Sequence, residues 1–170
     1  MTGMLNRWNH VGSPPRYGDD DESYRRAIAF LDGPGILEDW GCGCAYAKQF
    51  VRQAKYLGID GSLGYCDFQR DLLAYRSIAD YILLRHVLEH NEEWKTILRN
   101  ALSSASKRLC LVIFTPFQTE THVIGWNGNG VPDIGFRKQD LLDVLGPCRE
   151  ETILSMTQYG QETLLYWETR

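Results

Sequence analysis

The sequence predicts a three-layer α/β domain built on a mostly parallel sheet. Three observations predict it. Short strand-like runs alternate with helix-like runs from residue 19 onward. A glycine-rich turn follows the first of these strands directly, and an aspartate closes the second. Two alternating segments at the C-terminus, joined by Gly160-Gln161, read as an antiparallel hairpin.

Each element follows from local pattern. Residues 1–18 are expected as an extended arm, stiffened by Ser13-Pro14-Pro15. Asp19, Asp20 and Asp21 charge a helix start, and Tyr24, Ala27, Ile28 and Leu31 recur at helical spacing. Gly33-Pro34-Gly35 ends that helix. Residues 36–40 are expected as a strand, 45–54 as a helix and 55–59 as a second strand. Residues 63–68 are expected as a third strand with no helix before it. A parallel pair needs a dozen or more connecting residues, so the sheet is abbreviated here, with a stub strand at its edge or a merely extended piece. Residues 69–77 are expected as a loop or short helix, 78–84 as a strand and 88–105 as a helix. Leu109–Phe114 is an uninterrupted apolar run, the pattern of a buried parallel strand. A polar, Gly-rich loop over 117–135 is expected to carry a short strand at 122–126. A helix over 136–145 then precedes the hairpin of 151–159 and 162–169.

The chain has 170 residues, which suits one domain. With 44% hydrophobic residues and a net charge of -4, it has a core to bury and little general attraction for nucleic acid or anionic membrane. No apolar run approaches the ~18 residues of a membrane helix. Five cysteines, an odd number, and the lack of an apolar leader run point to reduced thiols and a cytoplasmic protein.

The strongest chemical signal lies between the first two strands. Gly41 permits a tight turn, and Gly43 permits close approach of a ligand to the backbone. A helix after them would present free N–H groups. Asp60, at the end of the second strand, can accept hydrogen bonds from both hydroxyls of a ribose. The pattern describes a nucleoside-containing ligand at the carboxyl ends of the strands. It departs from the dinucleotide fingerprint, because Tyr46 stands where a third glycine belongs. Cys42 and Cys44 are one residue too close for the usual metal-binding pair. His86, His122 and Glu120 are the candidate catalytic groups, with His90 and Trp126 as further candidates near the acceptor.

These residues resemble motifs of the class I S-adenosylmethionine-dependent methyltransferases. Asp39-Trp40-Gly41-Cys42-Gly43-Cys44-Ala45 is similar to the family's first motif, and Gly58-Ile59-Asp60-Gly61-Ser62 to its ribose-binding motif. Cys66-Asp67-Phe68 resembles the adenine-contacting segment, and residues 79–90 resemble the strand that follows it. The resemblance implies a Rossmann-like methyltransferase fold with S-adenosyl-L-methionine as cofactor. By the same resemblance Asp39, Gly41, Cys42 and Gly43 would line the methionine and ribose portions. Asp60 and Gly61 would meet the ribose, and Asp67 and Phe68 the adenine. Arg85 and His86 would lie near the methionine part or the transferred methyl, and Tyr17 would cover the cofactor. Ala45, at the third glycine's place, counts as a mild departure that adds one methyl. The implied function is methyl transfer to a small or biosynthetic acceptor, with a second subunit as one way to close an open substrate side. The alternatives are a non-catalytic cofactor-binding or partner-binding protein and an NAD(P)-dependent reductase.

Overall fold

The computed structural model describes residues 21–62, 64–127 and 130–169. The expected N-terminal arm, Tyr17 included, lies outside the described residues. Helix α1 is Glu22–Leu31. Then come β1 Ile36–Trp40, β2 Lys55–Asp60, β3 Phe68–Gln69 and β4 Ala79–Arg85. Helix α2, Trp94–Ser104, runs directly into β5, Ala105–Ile113. After β6 His122–Trp126 and β7 Pro132–Gly135 come helix α3 Lys138–Leu145, β8 Arg149–Leu154 and β9 Gln161–Glu168.

Seven strands form one sheet in the order β3-β2-β1-β4-β5-β9-β8, while β6 and β7 pair separately as a hairpin. The ladders from β3 to β5 are parallel, and β9 is antiparallel to both neighbours. Alternation along β4 sends Ile82 and Leu84 to one face and Tyr81 and Leu83 to the other. The first face is covered by α2 and α3 through Trp94, Ile97, Leu98, Leu141 and Leu145. The second is covered by α1 through Tyr24, Ala27, Ile28 and Leu31. Three layers result, as expected.

The structure corrects several expected elements. Residues 45–54 hold no α-helix, only a 3₁₀ turn over Tyr46–Phe50. The reason is length. After the glycine turn about nine residues remain to return alongside β1, which is ~17 Å long at ~3.3 Å per residue. Nine residues of α-helix rise only ~13.5 Å, so the chain unwinds and finishes extended. Its amides are collected by Asp32, which accepts from the N–H groups of Arg52, Gln53 and Ala54 at 2.8, 2.8 and 2.9 Å. The expected third strand shrinks to the two residues of β3, a stub at the sheet edge. The helix expected over 88–105 starts at Trp94, preceded by a 3₁₀ turn at Leu88–His90, and Ala105 already belongs to β5. The short strand of residues 122–126 is present, and β7 pairs with it inside what reads as loop. The last helix starts at Lys138, with Phe136 buried ahead of it.

Asp32 therefore substitutes for a layer of structure. Burial alone would raise its pKa, but the three N–H groups hold it below the ordinary carboxylate range. A lowered pKa contributes stability above the free carboxylate's range and loses it as pH falls. Asp32→Ala is expected to cost about 1–2 kcal/mol in urea unfolding at pH 7. The difference from wild type should shrink near pH 3; a constant difference would show that the carboxylate charge is not what holds residues 52–54.

Candidate functional site

The parallel strands end along one edge. Trp40 lies opposite Ile59 on one side and Leu84 on the other, and Leu84 lies opposite Leu111. The segments leaving these strands therefore gather side by side, as ligand-binding edges of open α/β sheets do.

The turn after β1 is shaped by two glycines. Gly41 has φ 76° and a Cβ there would meet Val87 Cγ2 at 2.4 Å, so no other residue fits. Gly43 has φ 54° and open space where a Cβ would stand. That space is the cradle a ligand could enter. Ala45 has φ 56° as well. The departure is thus more than one added methyl, because it places a side chain in the left-handed region at a cost of roughly 1 kcal/mol. The Cys42 side chain turns inward, 8% exposed, so this residue offers the turn only its backbone.

Asp60 faces this turn. Its Oδ2 accepts from the Gly43 N–H at 2.8 Å, and its Oδ1 accepts from the N–H and hydroxyl of Ser62 at 2.7 and 2.8 Å. A carboxylate offers about four lone-pair sites, so Oδ2 keeps capacity for a further donor. The Gly61 carbonyl is taken by Gln69 Nε2 at 2.9 Å. Asp67 pins its segment to β2: its N–H donates to the Gly58 carbonyl at 2.8 Å and its Oδ2 accepts from the Gly58 N–H at 2.7 Å. Phe68, next to Asp67, is 43% exposed with the Arg70 guanidinium 5.5 Å from its ring centroid, and Tyr65 is 67% exposed.

Asp39 sits under α1, buried, accepting from Tyr56 OH at 2.7 Å. Burial, together with the nearby Asp60 charge, pushes its pKa up to about 7 despite the Tyr56 hydrogen bond and Arg85. Two neighbouring carboxylates without a sufficient cation favour a positively charged ligand group.

Arg85 is spent inside the protein. Its guanidinium lies 3.9 Å from the Tyr24 ring centroid and donates to Ser23 Oγ, Tyr24 OH and Glu162 Oε1 at 3.1, 3.0 and 2.7 Å. It ties the first turn of α1 to β9. His86 follows, with φ 56°, a strained left-handed conformation. Its Nε2 lies 2.6 Å from Glu162 Oε1, and its ring meets Phe114 edge-on at 4.8 Å. Burial above all, and then Arg85, pushes its pKa down to about 4 against the pull of Glu162.

A second polar group adjoins it. Glu89 is fully buried; its Oε1 accepts from the Phe114 N–H at 2.7 Å and its Oε2 has no partner. Burial pushes its pKa up to about 8. His90 Nδ1 donates to the Pro132 carbonyl at 2.9 Å and lies 3.4 Å from Asp133. Asp133 also accepts from Gln158 at 2.7 Å, and Tyr159 stacks on Phe114 at 5.8 Å. The turn between β8 and β9 thus lies against the hairpin of β6 and β7.

His122 and Glu120 are not brought to this cluster. His122 is exposed, its Nδ1 donating to the Glu120 carbonyl at 3.0 Å. It pairs with Gly135, at the opposite end of the hairpin from the Trp126 and Pro132 pair that adjoins His90. The preceding Thr121 instead donates to Asp140 on α3 at 2.6 Å. Glu162, Glu89, Asp133 and Tyr159 were not singled out by the sequence. One signal was available for Glu162: on β9 it shares a face with buried Leu164 and Tyr166, where a lone carboxylate needs a partner.

No protein-family model matches the chain, and no curated sequence is similar to it. Solved structures are similar in fold. The 1,6-didemethyltoxoflavin-N1-methyltransferase of Burkholderia thailandensis, solved with 1,6-didemethyltoxoflavin and S-adenosylhomocysteine, superposes with a TM-score of 0.71 at 15% identity over 98% of this chain and 88% of that one. Magnesium protoporphyrin IX methyltransferase of Synechocystis PCC 6803, with S-adenosylhomocysteine, gives 0.66 at 17% identity over 99% and 95%. The [4+2]-cyclase SpnF gives 0.67 at 14% identity over 98% and 92%. The chain has the fold of the class I methyltransferases.

Two expectations follow. Gly41→Ala should destabilise the fold by about 3 kcal/mol through the Val87 clash. Gly43→Ala should cost only about 1 kcal/mol yet place a methyl in the cradle; equal losses in thermal unfolding would refute the cradle. The second concerns pH. Asp39 and Glu89 have raised pKa values, so their contribution is full below the free carboxylate range and is lost as pH rises through about 7 and 8. His86 has a lowered value, so its contribution is full above the free imidazole range and is lost as pH falls through about 4. The melting temperature of the ligand-free chain should therefore fall between pH 6 and pH 8.5, and Glu89→Gln should flatten that fall.

Proposed function

We propose that this chain is an S-adenosyl-L-methionine-dependent methyltransferase acting on a small biosynthetic acceptor. The observation that carries the reading is a nucleoside-shaped edge without a phosphate-binding helix. Asp60 and the Gly43 cradle suit a ribose, while the 3₁₀ turn at Tyr46–Phe50 offers no full helix N-terminus for a pyrophosphate. That combination fits an adenosyl compound lacking phosphate and argues against a nicotinamide dinucleotide. The structural neighbours named above include two methyltransferases with S-adenosylhomocysteine bound, one of them also holding 1,6-didemethyltoxoflavin.

In this reading Asp60 holds the ribose hydroxyls. Phe68 packs on the adenine and Asp67 Oδ1 accepts from its amino group. The backbone of Gly41–Gly43 lies along the ribose and methionine parts, and Asp39 supplies negative charge for the methionine end. S-adenosylmethionine, when bound, supplies a methyl group already activated by a sulfonium. The protein's task is then orientation and electrostatics. His86 lies at the end of β4, where the acceptor would meet the methyl. Arg85 acts through Glu162 and Tyr24, fixing the wall of the site. His122 and Glu120 would serve an acceptor that extends along the hairpin. The exposed ring of Tyr65 is a surface that a second copy of the chain would cover; light scattering with and without ligand tests this.

Calorimetric titration tests the cofactor. S-adenosylhomocysteine is expected to bind and NADH not to bind. Asp60→Ala should weaken binding at least ~10-fold, or ~1.4 kcal/mol. Unchanged affinity in that variant would remove the ribose assignment, and NADH binding would replace the reading.

A further inference from the structure

We infer that Glu162 is the positioning residue for His86: it fixes the ring as the neutral tautomer protonated on Nε2 and leaves Nδ1 to accept a proton, so the methyl acceptor is a molecule with an O–H or N–H hydrogen to lose. This rests on the methyl-transfer reading above and goes beyond it in naming the proton acceptor, the residue that sets it and the acceptor's chemistry.

The argument begins with Glu162. It is 1% exposed, and its Oε1 receives both Arg85 Nη2 at 2.7 Å and His86 Nε2 at 2.6 Å. Arg85 is always charged and is buried against Oε1, so Glu162 is its ionised counter-charge whatever the state of His86. An ionised carboxylate can only accept. The atom 2.6 Å away must therefore be the donor, so Nε2 carries the hydrogen. The groups facing the ring are Arg85 beside it, Glu162 from β9 and the imidazole of His90. Burial first, and then the Arg85 charge, oppose a second proton, so the ring stays neutral and Nδ1 stays bare. Nδ1 has no partner among the described residues. It is not one of the sealed polar atoms without a partner, which among those residues are Glu89 Oε2 and Asn100 Oδ1.

A bare nitrogen held by a carboxylate on its far side is the arrangement of a general base. Phe114, itself backed by Tyr159, gives the ring an apolar wall, which keeps the geometry fixed. In the transfer, the acceptor's oxygen or nitrogen forms its bond to the methyl carbon. The carbon–sulfur bond breaks and its electron pair stays on sulfur, which becomes a neutral thioether. The acceptor's hydrogen leaves as a proton to Nδ1. The resulting imidazolium is stabilised by Glu162 and opposed by Arg85, so it passes its proton on to solvent. A carboxylate or thioether acceptor has no hydrogen to give up and would not use this base.

Long-range proton–nitrogen NMR of the ¹⁵N-labelled full chain tests the tautomer directly. Between pH 5.5 and 8, His86 should show a protonated Nε2 and a bare Nδ1. Glu162→Gln, whose amide can also donate, should mix the two tautomers. A wild-type ring protonated on Nδ1, or on both nitrogens at pH 7, overturns the inference, as does an unchanged tautomer in a folded Glu162→Gln. If that variant does not fold, the wild-type spectrum decides alone. With radiolabelled S-adenosylmethionine, label should pass to members of a mixed pool of phenols and N–H heterocycles; label found only on carboxylic acids or thioethers overturns the acceptor class. Failure of the wild type to bind S-adenosylhomocysteine sinks the methyl-transfer reading itself, whereas binding with the wrong tautomer sinks this inference alone.

Discussion

One buried carboxylate, Glu162, is what the functional edge depends on. It lies at the start of β9, yet it meets the last residue of β4, the residue after it and, through Arg85, the first turn of α1. Three parts of the chain that share no ladder are thereby held at one point. Taking a carboxylate and a guanidinium out of water costs several kcal/mol, and only good geometry with further hydrogen bonds offsets it. Here Arg85 has a partner on each nitrogen, and Tyr24 lies under its plane. The antiparallel direction of β9 matters for this reason. It brings the first residues of β9, rather than the last, to the edge where the parallel strands end.

The central strands and both outer layers were legible in the sequence because they obey simple periods. Leu109–Phe114 reads as buried, and Leu141 with Leu145 as a helix face, since burial on a fixed face forces those spacings. The Gly41 turn and Asp60 were legible because their chemistry is local. Residues 45–54 misled the same reasoning. Their apolar spacing is helical, but distance along the strand and the pull of Asp32 decide their path, and neither is visible in a short window. Arg85 was legible as important but not in its partners. Glu162 and Tyr159 come from a segment more than 70 residues away, and no local pattern says that the last hairpin turns toward His86.

The sheet also shows how a small chain keeps a ligand edge while omitting helices. The amides that a crossover helix would satisfy are taken by side chains instead. Asp32 caps residues 52–54, and Asp67 closes the ladder beside Gly58. Glu38 receives Trp40, Tyr75 and Ser77 and so anchors the loop before β4. Carboxylates thus carry a load that backbone hydrogen bonds carry in longer chains. Single side chains are more easily lost to acid or substitution than a helix is, which makes the omitted layer a soft point of the fold.

The hairpin of β6 and β7 has a different consequence. It shares no ladder with the seven-stranded sheet, touching it through packed side chains and a few polar contacts near His90 and Asp133. A strand inside the main sheet cannot shift by one residue without turning its whole face over. Within the hairpin β7 is held in the same way, since it is buried and Ile134 joins the main core, but β6 is exposed or half-buried along its length. β6 and the turn after it are therefore the interchangeable part: a recombined or lengthened version can reshape this surface while the edge that holds Asp60 and His86 keeps its register.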